Sequence, residues 1–330
     1  MEYRFLGRTG VRVSRLAFGT MSFGGDADEA TSGALYARCR EAGINLFDCA
    51  DVYAGGRSEE ILGRLVKGHR DEVVLTSKAY FPTGKDVNAR GSSRYHLVRA
   101  VEASLRRLRT DRVDLFFLHR FDEVTALEES LRAVEDLVRQ GKVLYLGVSN
   151  FSAWQTMKAL GIAARDGLSP LVCLQPMYNL VKRQAEVELL PMAQSEGLGV
   201  LPYSPLGGGL LSGKYGADRR PDAGRLVKNA MYKTRYAEPG YYEVAERFTA
   251  VAEAHGVHPA ALAVAWVART PGVTAPLIGA RDLEQLEAVL GADRVEMTDP
   301  LYDEVGSLWP APPPATDRNE ERGPNNYGAR

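Results

Sequence analysis

Residues 143–150 read VLYLGVSN, a short apolar run that ends in a polar pair, Ser149 and Asn150. An uninterrupted apolar run of this length, with β-branched and aromatic residues, is typical of a strand that is buried on both faces. Segments of helical period stand before and after such runs. Between residues 93 and 108, for example, Leu97, Val101 and Leu105 recur at helical spacing while most charged residues fall elsewhere. This alternation predicts a parallel sheet with crossover helices.

The same kind of run occurs eight times along the chain. We predict strands at residues 16–19, 44–48, 73–78, 114–119, 143–149, 172–176, 199–203 and 274–278. Eight strand–helix units can form an open doubly wound sheet or a closed barrel, and periodicity alone does not choose between them. Before the first of these strands, residues 3–6 and 11–13 flank Gly7-Arg8-Thr9-Gly10 and predict a β-hairpin that could plug one end of a barrel.

Several residues mark the ends of the predicted helices. Thr125 with Glu128, and Ser152 with Gln155, fit the capping box that satisfies the first free N–H groups of a helix. Gly43, Gly141 and Gly197 each fall between a helix and the next strand, where a left-handed C-terminal cap suits glycine.

Two segments interrupt the regular alternation. The stretch 207–241 is an insertion after the seventh strand, rich in glycine and arginine, and two predicted helices follow it at 242–255 and 259–269. From Pro310 to Arg330 the chain is polar, rich in proline and without periodicity, which predicts a flexible or surface-wrapping tail. We therefore expect one domain over residues 1–309 and a C-terminal tail over 310–330.

Composition limits the classes of function. With 41 basic and 42 acidic side chains the net charge is −1, which provides no broad field for nucleic acid or anionic lipid. Three cysteines in apolar stretches, Cys39, Cys49 and Cys173, favour a reducing compartment over a disulfide framework. The charged N-terminus does not resemble a secretory signal, and no stretch reaches the roughly 18 apolar residues of a membrane span. We expect a cytoplasmic protein with no membrane or nucleic-acid partner.

Residues with reactive or ligand-binding side chains stand at the carboxyl ends of the predicted strands. They are Asp48, Lys78, His119, Ser149, Asn150, Gln175 and Tyr203. In an α/β barrel all of these ends open onto one face, where such enzymes build their active sites. Each residue alone has a structural explanation, such as a cap, a core histidine or an exposed strand end. Their common placement favours a functional site.

The chemistry that these residues suggest is proton donation by a phenol. Hydride delivery to a carbonyl carbon leaves an alkoxide that must gain a proton, and Tyr53 can supply it. A tyrosine with its usual pKa of about 10 is a reluctant donor, so an adjacent Lys78 ammonium is expected to move the pKa toward the working range. Asp48 can hold Lys78 in place. His119 can hydrogen-bond the substrate oxygen, and no spacing of His and Cys suggests a metal.

In these residues and their order the sequence clearly resembles the aldo-keto reductase family. The resemblance runs from about residue 3 to about residue 305. The matching segments are Asn45-Leu46-Phe47-Asp48-Cys49-Ala50-Asp51-Val52-Tyr53, Thr76-Ser77-Lys78, Leu115-Phe116-Phe117-Leu118-His119, Gly147-Val148-Ser149-Asn150-Phe151, Gln175-Pro176-Met177-Tyr178-Asn179, Tyr203-Ser204-Pro205-Leu206 and Ile278-Gly279-Ala280-Arg281. It implies a (β/α)8 TIM barrel rather than an open sheet.

The resemblance also implies roles for individual residues. The catalytic tetrad would be Asp48, Tyr53, Lys78 and His119. The cofactor, expected to be NADPH, would be bound by Gly19, Thr20, Met21, Ser149, Asn150, Gln175, Tyr203, Ser204, Leu206, Gly279, Ala280, Arg281 and Gln285. Arg281 would grip the ribose 2′-phosphate. Many members carry a Glu-Asn pair against the adenine, and this chain has Ala288-Val289 there.

The resemblance therefore predicts an NADPH-dependent reductase of aldehydes or ketones, with a small carbonyl compound as its partner. Two alternatives stay open at this stage. Some members, the β subunits of voltage-gated potassium channels, keep a cofactor-loaded barrel while serving as regulatory partners. A Schiff-base enzyme would also place a lysine such as Lys78 at a strand end. The natural substrate and the oligomeric state are not indicated by the sequence.

Overall fold

The computed structural model of the chain describes residues 1–316. Its strands are β1 Tyr3–Phe5, β2 Arg12–Ser14, β3 Ala17–Gly19, β4 Leu46–Asp48, β5 Val74–Ala79, β6 Val113–Leu118, β7 Val143–Ser149, β8 Leu171–Gln175, β9 Gly199–Val200 and β10 Leu277–Ile278. Its α-helices are α1 Glu29–Glu41, α2 Arg57–Leu65, α3 Arg94–Leu108, α4 Leu127–Arg139, α5 Ala153–Asp166, α6 Leu189–Glu196, α7 Arg225–Lys228, α8 Ala230–Arg235, α9 Gly240–Ala254, α10 Pro259–Arg269, α11 Leu283–Leu290 and α12 Asp299–Ser307.

The predicted (β/α)8 barrel is confirmed. Strands β3 to β10 form one sheet, in which every paired neighbour is parallel and the order is β10-β3-β4-β5-β6-β7-β8-β9. Backbone hydrogen bonds close the ring between its two end strands. The N–H of Leu277 donates to the carbonyl of Pro202 at 2.9 Å, and the N–H of Ala275 donates to Val200 at 3.2 Å. All eight carboxyl ends therefore open onto one face.

The last two predicted strands are shorter than expected. Residues 199–203 and 274–278 were predicted, but regular pairing covers only Gly199–Val200 and Leu277–Ile278. Pro202 and Pro276 lie within the predicted runs, and proline has no N–H to donate to a ladder. Tyr203 still forms a single parallel bridge to Met177, so the chain keeps its direction to the rim of the barrel.

The N-terminal hairpin covers the amino ends of the barrel strands, as predicted. Strands β1 and β2 pair antiparallel. Leu6 and Val13 are buried with Leu46, Leu115 and other inward side chains that fill the barrel. A Cβ at Gly7, which has φ +55°, would stand 2.7 Å from the backbone nitrogen of Gly199, so this contact requires glycine. A second, larger core lies between the sheet and the helices.

The predicted caps are confirmed in part. Ser152 and Gln155 form a complete capping box at α5, and Gly43, Gly141 and Gly197 all have positive φ after their helices. The capping box at Thr125 and Glu128 is wrong. Helix α4 begins at Leu127 with Ala126 at its cap and no side-chain cap, because the Thr125 hydroxyl donates instead to the Asp122 carboxylate at 2.8 Å.

The segment 207–241 contains little regular structure beyond the short helices α7 and α8. The helices predicted at 242–255 and 259–269 are α9 and α10. Most of the tail predicted at 310–330 lies outside the described residues, and residues 310–316 contain no helix or strand. Within residues 1–316 no helix is long and apolar enough to cross a membrane.

Candidate active site

Lys78 lies at the base of the site and is fully buried. Its ammonium donates to the Asp48 carboxylate oxygen Oδ2 at 2.6 Å, to the Cys49 carbonyl at 2.7 Å and to the Tyr53 hydroxyl at 3.3 Å. An ammonium has three protons, and these three acceptors use them all. Burial alone would lower the pKa of Lys78, but Asp48 and Tyr53 outweigh burial and raise it above its usual value. Lys78 is therefore a fixed cation.

Asp48 is held from several sides. It ends β4 and is 2% exposed. While Oδ2 contacts Lys78, Oδ1 accepts hydrogen bonds from the Thr76 hydroxyl at 2.7 Å and from the Gln175 amide at 2.9 Å. Charged groups buried in this way are stable only when they are paired and hydrogen-bonded, and this pair meets both conditions.

The loop after β4 carries Tyr53 to the Lys78 ammonium. Ala54, Gly55 and Gly56 all have positive φ, at 49°, 65° and 93°, which turns the chain sharply just before α2 begins at Arg57. Consecutive left-handed residues are favourable mainly for glycine, so the Gly55-Gly56 pair permits this turn. The Tyr53 ring is half-buried and contacts the His119 ring edge-on, with ring centroids 6.2 Å apart.

The pKa of Tyr53 differs from the expectation. Burial raises the pKa of Tyr53 to about 12, and the Lys78 ammonium opposes that rise without reversing it. The sequence predicted the effect of Lys78 in the right direction but not the larger effect of burial, which penalises the phenolate. The Tyr53 hydroxyl is consequently protonated at neutral pH.

His119 follows β6 and is neutral. Its pKa is lowered well below the usual value by burial and then by Lys78. The ring packs edge-on against Phe81 at 4.8 Å between centroids. Nδ1 is buried without a hydrogen-bond partner among the described residues. A proton on Nδ1 would therefore have no acceptor, which favours the tautomer with the proton on Nε2.

Asn150 connects three parts of the rim. It has φ +57° and follows β7. Its amide nitrogen donates to the His119 carbonyl at 2.9 Å and to the Ser149 hydroxyl at 3.2 Å, while its oxygen accepts from the Tyr203 hydroxyl at 2.7 Å. Both amide protons are thus used within the protein, and only the Asn150 oxygen has capacity left for a ligand.

A cavity of ≈ 1430 Å³ opens above these residues. This exceeds the roughly 300–1,000 Å³ of a typical small-ligand site, so the cavity is larger than a single small ligand needs. Most of the residues predicted for the site line it: Gly19, Met21, Asp48, Tyr53, His119, Ser149, Asn150, Gln175, Tyr203, Ser204, Leu206, Gly279, Ala280, Arg281 and Gln285.

Two predicted residues do not line the cavity. Lys78 lies beneath it and reaches it through Tyr53. Thr20 was expected to contact cofactor, but it is fully buried and its hydroxyl donates to the Asp48 carbonyl at 3.0 Å. Because Ser58 also donates to Thr20 at 2.9 Å, Thr20 instead joins the first turn of α2 to the end of β4.

Several cavity residues with polar or charged side chains were missed by the sequence reasoning. They include the five residues Arg120, Lys214, Tyr215, Arg225 and Arg235. Four of the five belong to the segment 207–241, whose arginine content was noted without a role for any of its arginines. That segment folds closely over itself, since a Cβ at Gly208 (φ +71°) would stand 2.6 Å from the Tyr232 ring. The basic residues of this segment were the feature of the sequence that could have indicated its contribution to the cavity.

The comparisons with known proteins agree with this geometry. The model of the aldo/keto reductase family matches residues 15–310. The chain is 38% identical to YrpG, an uncharacterized oxidoreductase of Bacillus subtilis, over 94% of this chain and 97% of that one. It is 35% identical to a probable voltage-gated potassium channel subunit β of rice, Oryza sativa subsp. japonica, over 96% and 99% respectively. The chain belongs to the aldo/keto reductase family and is an NAD(P)H-dependent oxidoreductase.

Proposed function

We propose that this protein reduces an aldehyde or ketone with NADPH, and that Tyr53 is the proton donor. The observation that carries the proposal is the contact at 3.3 Å between the Tyr53 hydroxyl and the Lys78 ammonium, which Asp48 holds at 2.6 Å, beneath a cavity larger than a single small ligand needs. Bound NADPH would supply a hydride to the carbonyl carbon.

The proton needed for this reaction comes from Tyr53. Because its pKa is about 12, the phenol carries its proton at neutral pH and can donate it to the oxygen of the reacting carbonyl. The phenolate that remains lies next to the Lys78 ammonium in a site of low dielectric constant, where opposite charges attract strongly. Lys78 therefore acts on the product of proton transfer rather than by ionising Tyr53 beforehand.

His119 orients the carbonyl. Because the ring is neutral and Nδ1 has no partner among residues 1–316, the Nε2–H group is the donor available to a substrate oxygen. A neutral donor adds no second positive charge beside Lys78. Tyr53 and His119 can then bind the same oxygen, which fixes the carbonyl for hydride attack.

The residues around the cavity fit a phosphorylated dinucleotide. The amide nitrogen of Gln175 donates to Asp48, and its amide oxygen, which accepts no hydrogen bond from residues 1–316, can accept from a carboxamide. The Tyr203 ring also lines the cavity. The Gly207–Gly209 turn offers backbone without side chains, which allows close approach of a diphosphate. Arg281 has no acidic partner among residues 1–316 and can bind a 2′-phosphate. NADPH would bind along β7 to β10 and β3.

The test is Tyr53→Phe, which removes the proton donor and little else. We expect kcat/KM for a reactive aldehyde such as 4-nitrobenzaldehyde to fall by about 100-fold to 10,000-fold, the usual contribution of general acid catalysis. The Kd for NADPH, measured by cofactor fluorescence, should stay near the wild-type value. Unchanged turnover would remove Tyr53 from this role.

The rice relative favours a second function, that of a cofactor-binding partner in a larger assembly. Steady NADPH oxidation by the purified chain with an aldehyde distinguishes the two, because a purely regulatory subunit needs no turnover. The Schiff-base alternative is weaker. A lysine nucleophile must be neutral, whereas Lys78 is an ion-paired cation with a raised pKa.

A further inference from the structure

Arg120 and Arg235 line the cavity without an acidic partner among residues 1–316, as Arg225, Arg281 and Arg294 also do. Arg120 is exposed into it and Arg235 is half-buried, and neither forms an ion pair or a side-chain hydrogen bond within the part of the chain that the structure describes. Most other arginines near the surface do form such pairs, as Arg38 does with Glu287. A guanidinium that is partly removed from water and has no partner in the protein is favourably placed to bind an anion.

Arg120 stands on the side of the cavity away from the expected cofactor. It follows His119 at the end of β6, which pairs with β5, and Phe81 in the loop after β5 also lines the cavity. The residues expected to bind cofactor come from β3 and from β7 to β10. Arg120 is therefore close to the reacting carbonyl rather than to the phosphates.

Arg235 approaches the same region from the segment 207–241. It lies over the Tyr232 ring at 5.1 Å from the centroid. Burial raises the pKa of the Tyr203 phenol, and the nearby charge of Arg235 opposes that rise. Tyr203 in turn is hydrogen-bonded to Asn150, next to the His119 backbone. Arg235 thus lies on the cavity wall near the tip of the Tyr203 ring.

The acidic side chains of the cavity do not neutralise these two cations. Asp48 is bound to Lys78. The other carboxylates that line the cavity, Glu284, Glu287 and Glu296, belong to α11 and the chain that follows it, and Glu287 is paired with Arg38. Among the described residues, the part of the cavity around His119 contains two cations and no free carboxylate.

We propose that the substrate is a carbonyl compound that carries an anionic group, a carboxylate or a phosphate, and that Arg120 and Arg235 bind this group. This proposal rests on the proposed function and names its substrate class. A guanidinium binds either anion through charge-assisted, two-pronged hydrogen bonds. The arginines hold the anionic end while Tyr53 and His119 bind the carbonyl oxygen.

The test compares two aldehydes of nearly equal shape, 4-carboxybenzaldehyde and the neutral 4-nitrobenzaldehyde. The measured quantity is the ratio of their kcat/KM values with NADPH, in wild type and in Arg120→Met and Arg235→Met. Loss of one charge-assisted hydrogen bond weakens binding by about 10-fold to 150-fold. We therefore expect the kcat/KM of the carboxylate compound, relative to that of the nitro compound, to fall by this factor in each variant. Arg106→Met, which removes an exposed cation from the outer side of α3, is the matched control and should keep the wild-type ratio.

A second readout does not depend on turnover. Calorimetric titration of 4-carboxybenzaldehyde into the NADP⁺-loaded protein should show binding that weakens in both arginine variants. If the ratio and the titration are unchanged in both variants, the proposal is wrong, and an unchanged value in one variant removes that arginine. If no aldehyde is reduced but the titration behaves as expected, the anion site stands and the proposed reaction fails. Replacing carboxylate by phosphate in the aldehyde then tells which anion is preferred.

Discussion

At the floor of the cavity Lys78 and Asp48 are buried and hold each other, whereas at its rim Arg120, Arg235 and Arg281 make no ion pair among residues 1–316. The floor uses its charges internally, since every proton of Lys78 has an acceptor in the protein. The three arginines at the rim can instead bind charged groups of ligands. Changes at the floor should therefore affect chemistry and folding together, while changes at the rim should affect ligand affinity alone.

The largest expected effect comes from Lys78→Met. It removes the cation that stabilises the Tyr53 phenolate and leaves Asp48 buried without its partner. We expect kcat/KM to fall by at least about 100-fold. The free energy of unfolding should fall by about 3–5 kcal/mol, the cost of breaking a buried ion pair. Activity assays and urea unfolding measure the two effects.

The double variant Asp48→Asn with Lys78→Met is the control. It removes both charges, so it should recover part of the lost stability but none of the lost activity. If the single and double variants are equally unstable, the ion pair does not have the structural role given to it here.

At the rim, Arg281→Ala should raise the Kd for NADPH by about 10-fold to 150-fold, because one charge-assisted contact to the 2′-phosphate is lost. NADH lacks that phosphate, so its Kd should change far less. Fluorescence titration of both cofactors measures the difference, with Arg106→Ala as the surface control. A variant that keeps the wild-type ratio of the two Kd values would exclude Arg281 as the reason for a preference for NADPH.

Two buried carboxyl groups near Lys78, Asp51 and Asp48, should differ in their effect on stability. Asp51 is 3% exposed and neither carboxyl oxygen has a partner among the described residues, in contrast to Asp48. Burial, with Glu59 nearby, raises the pKa of Asp51 to about 7. Between roughly pH 4, the pKa in the unfolded chain, and pH 7, unfolding lets Asp51 lose its proton, so this group lowers the free energy of unfolding as pH rises.

Asp51→Asn removes that pH-dependent loss. The variant should gain stability over wild type, and the gain should grow with pH by about 1.4 kcal/mol per pH unit from pH 5 until it levels off near pH 7. Urea unfolding at the two pH values measures it. Asp48→Asn should instead destabilise the protein at both, because Lys78 loses its partner. A gain for Asp51→Asn that is the same at pH 5 and pH 8 would contradict the assignment.

The sequence predicted the features that depend on local pattern. The eight strands and the hairpin follow from apolar runs and turn residues, and the polar residues at strand ends converge because parallel strands share an edge. The cap at Thr125 could not be predicted, since Asp122 competes for its hydroxyl. The predicted direction of the Tyr53 pKa shift was wrong because burial of the loop is not visible in the sequence.

The rim was the least predictable part of the site. Within the part of the chain that the structure describes, Arg120 and Arg235 differ from many other arginines in making no ion pair, and the fold determines which residues are neighbours across the barrel. The segment 207–241 also has no clear periodicity, so its path over the cavity depends on packing such as that of Gly208 against Tyr232.

The most direct test of the central claim follows the hydride itself. The protein is incubated with 4-nitrobenzaldehyde and NADPH that carries two deuterium atoms at C4 of the nicotinamide, and the alcohol is analysed by mass spectrometry. We expect an alcohol with one deuterium on the carbinol carbon, formed in equal amount to the NADP⁺ produced, and very little of it with Tyr53→Phe. An alcohol without deuterium, or no alcohol while NADPH remains bound, would contradict the account.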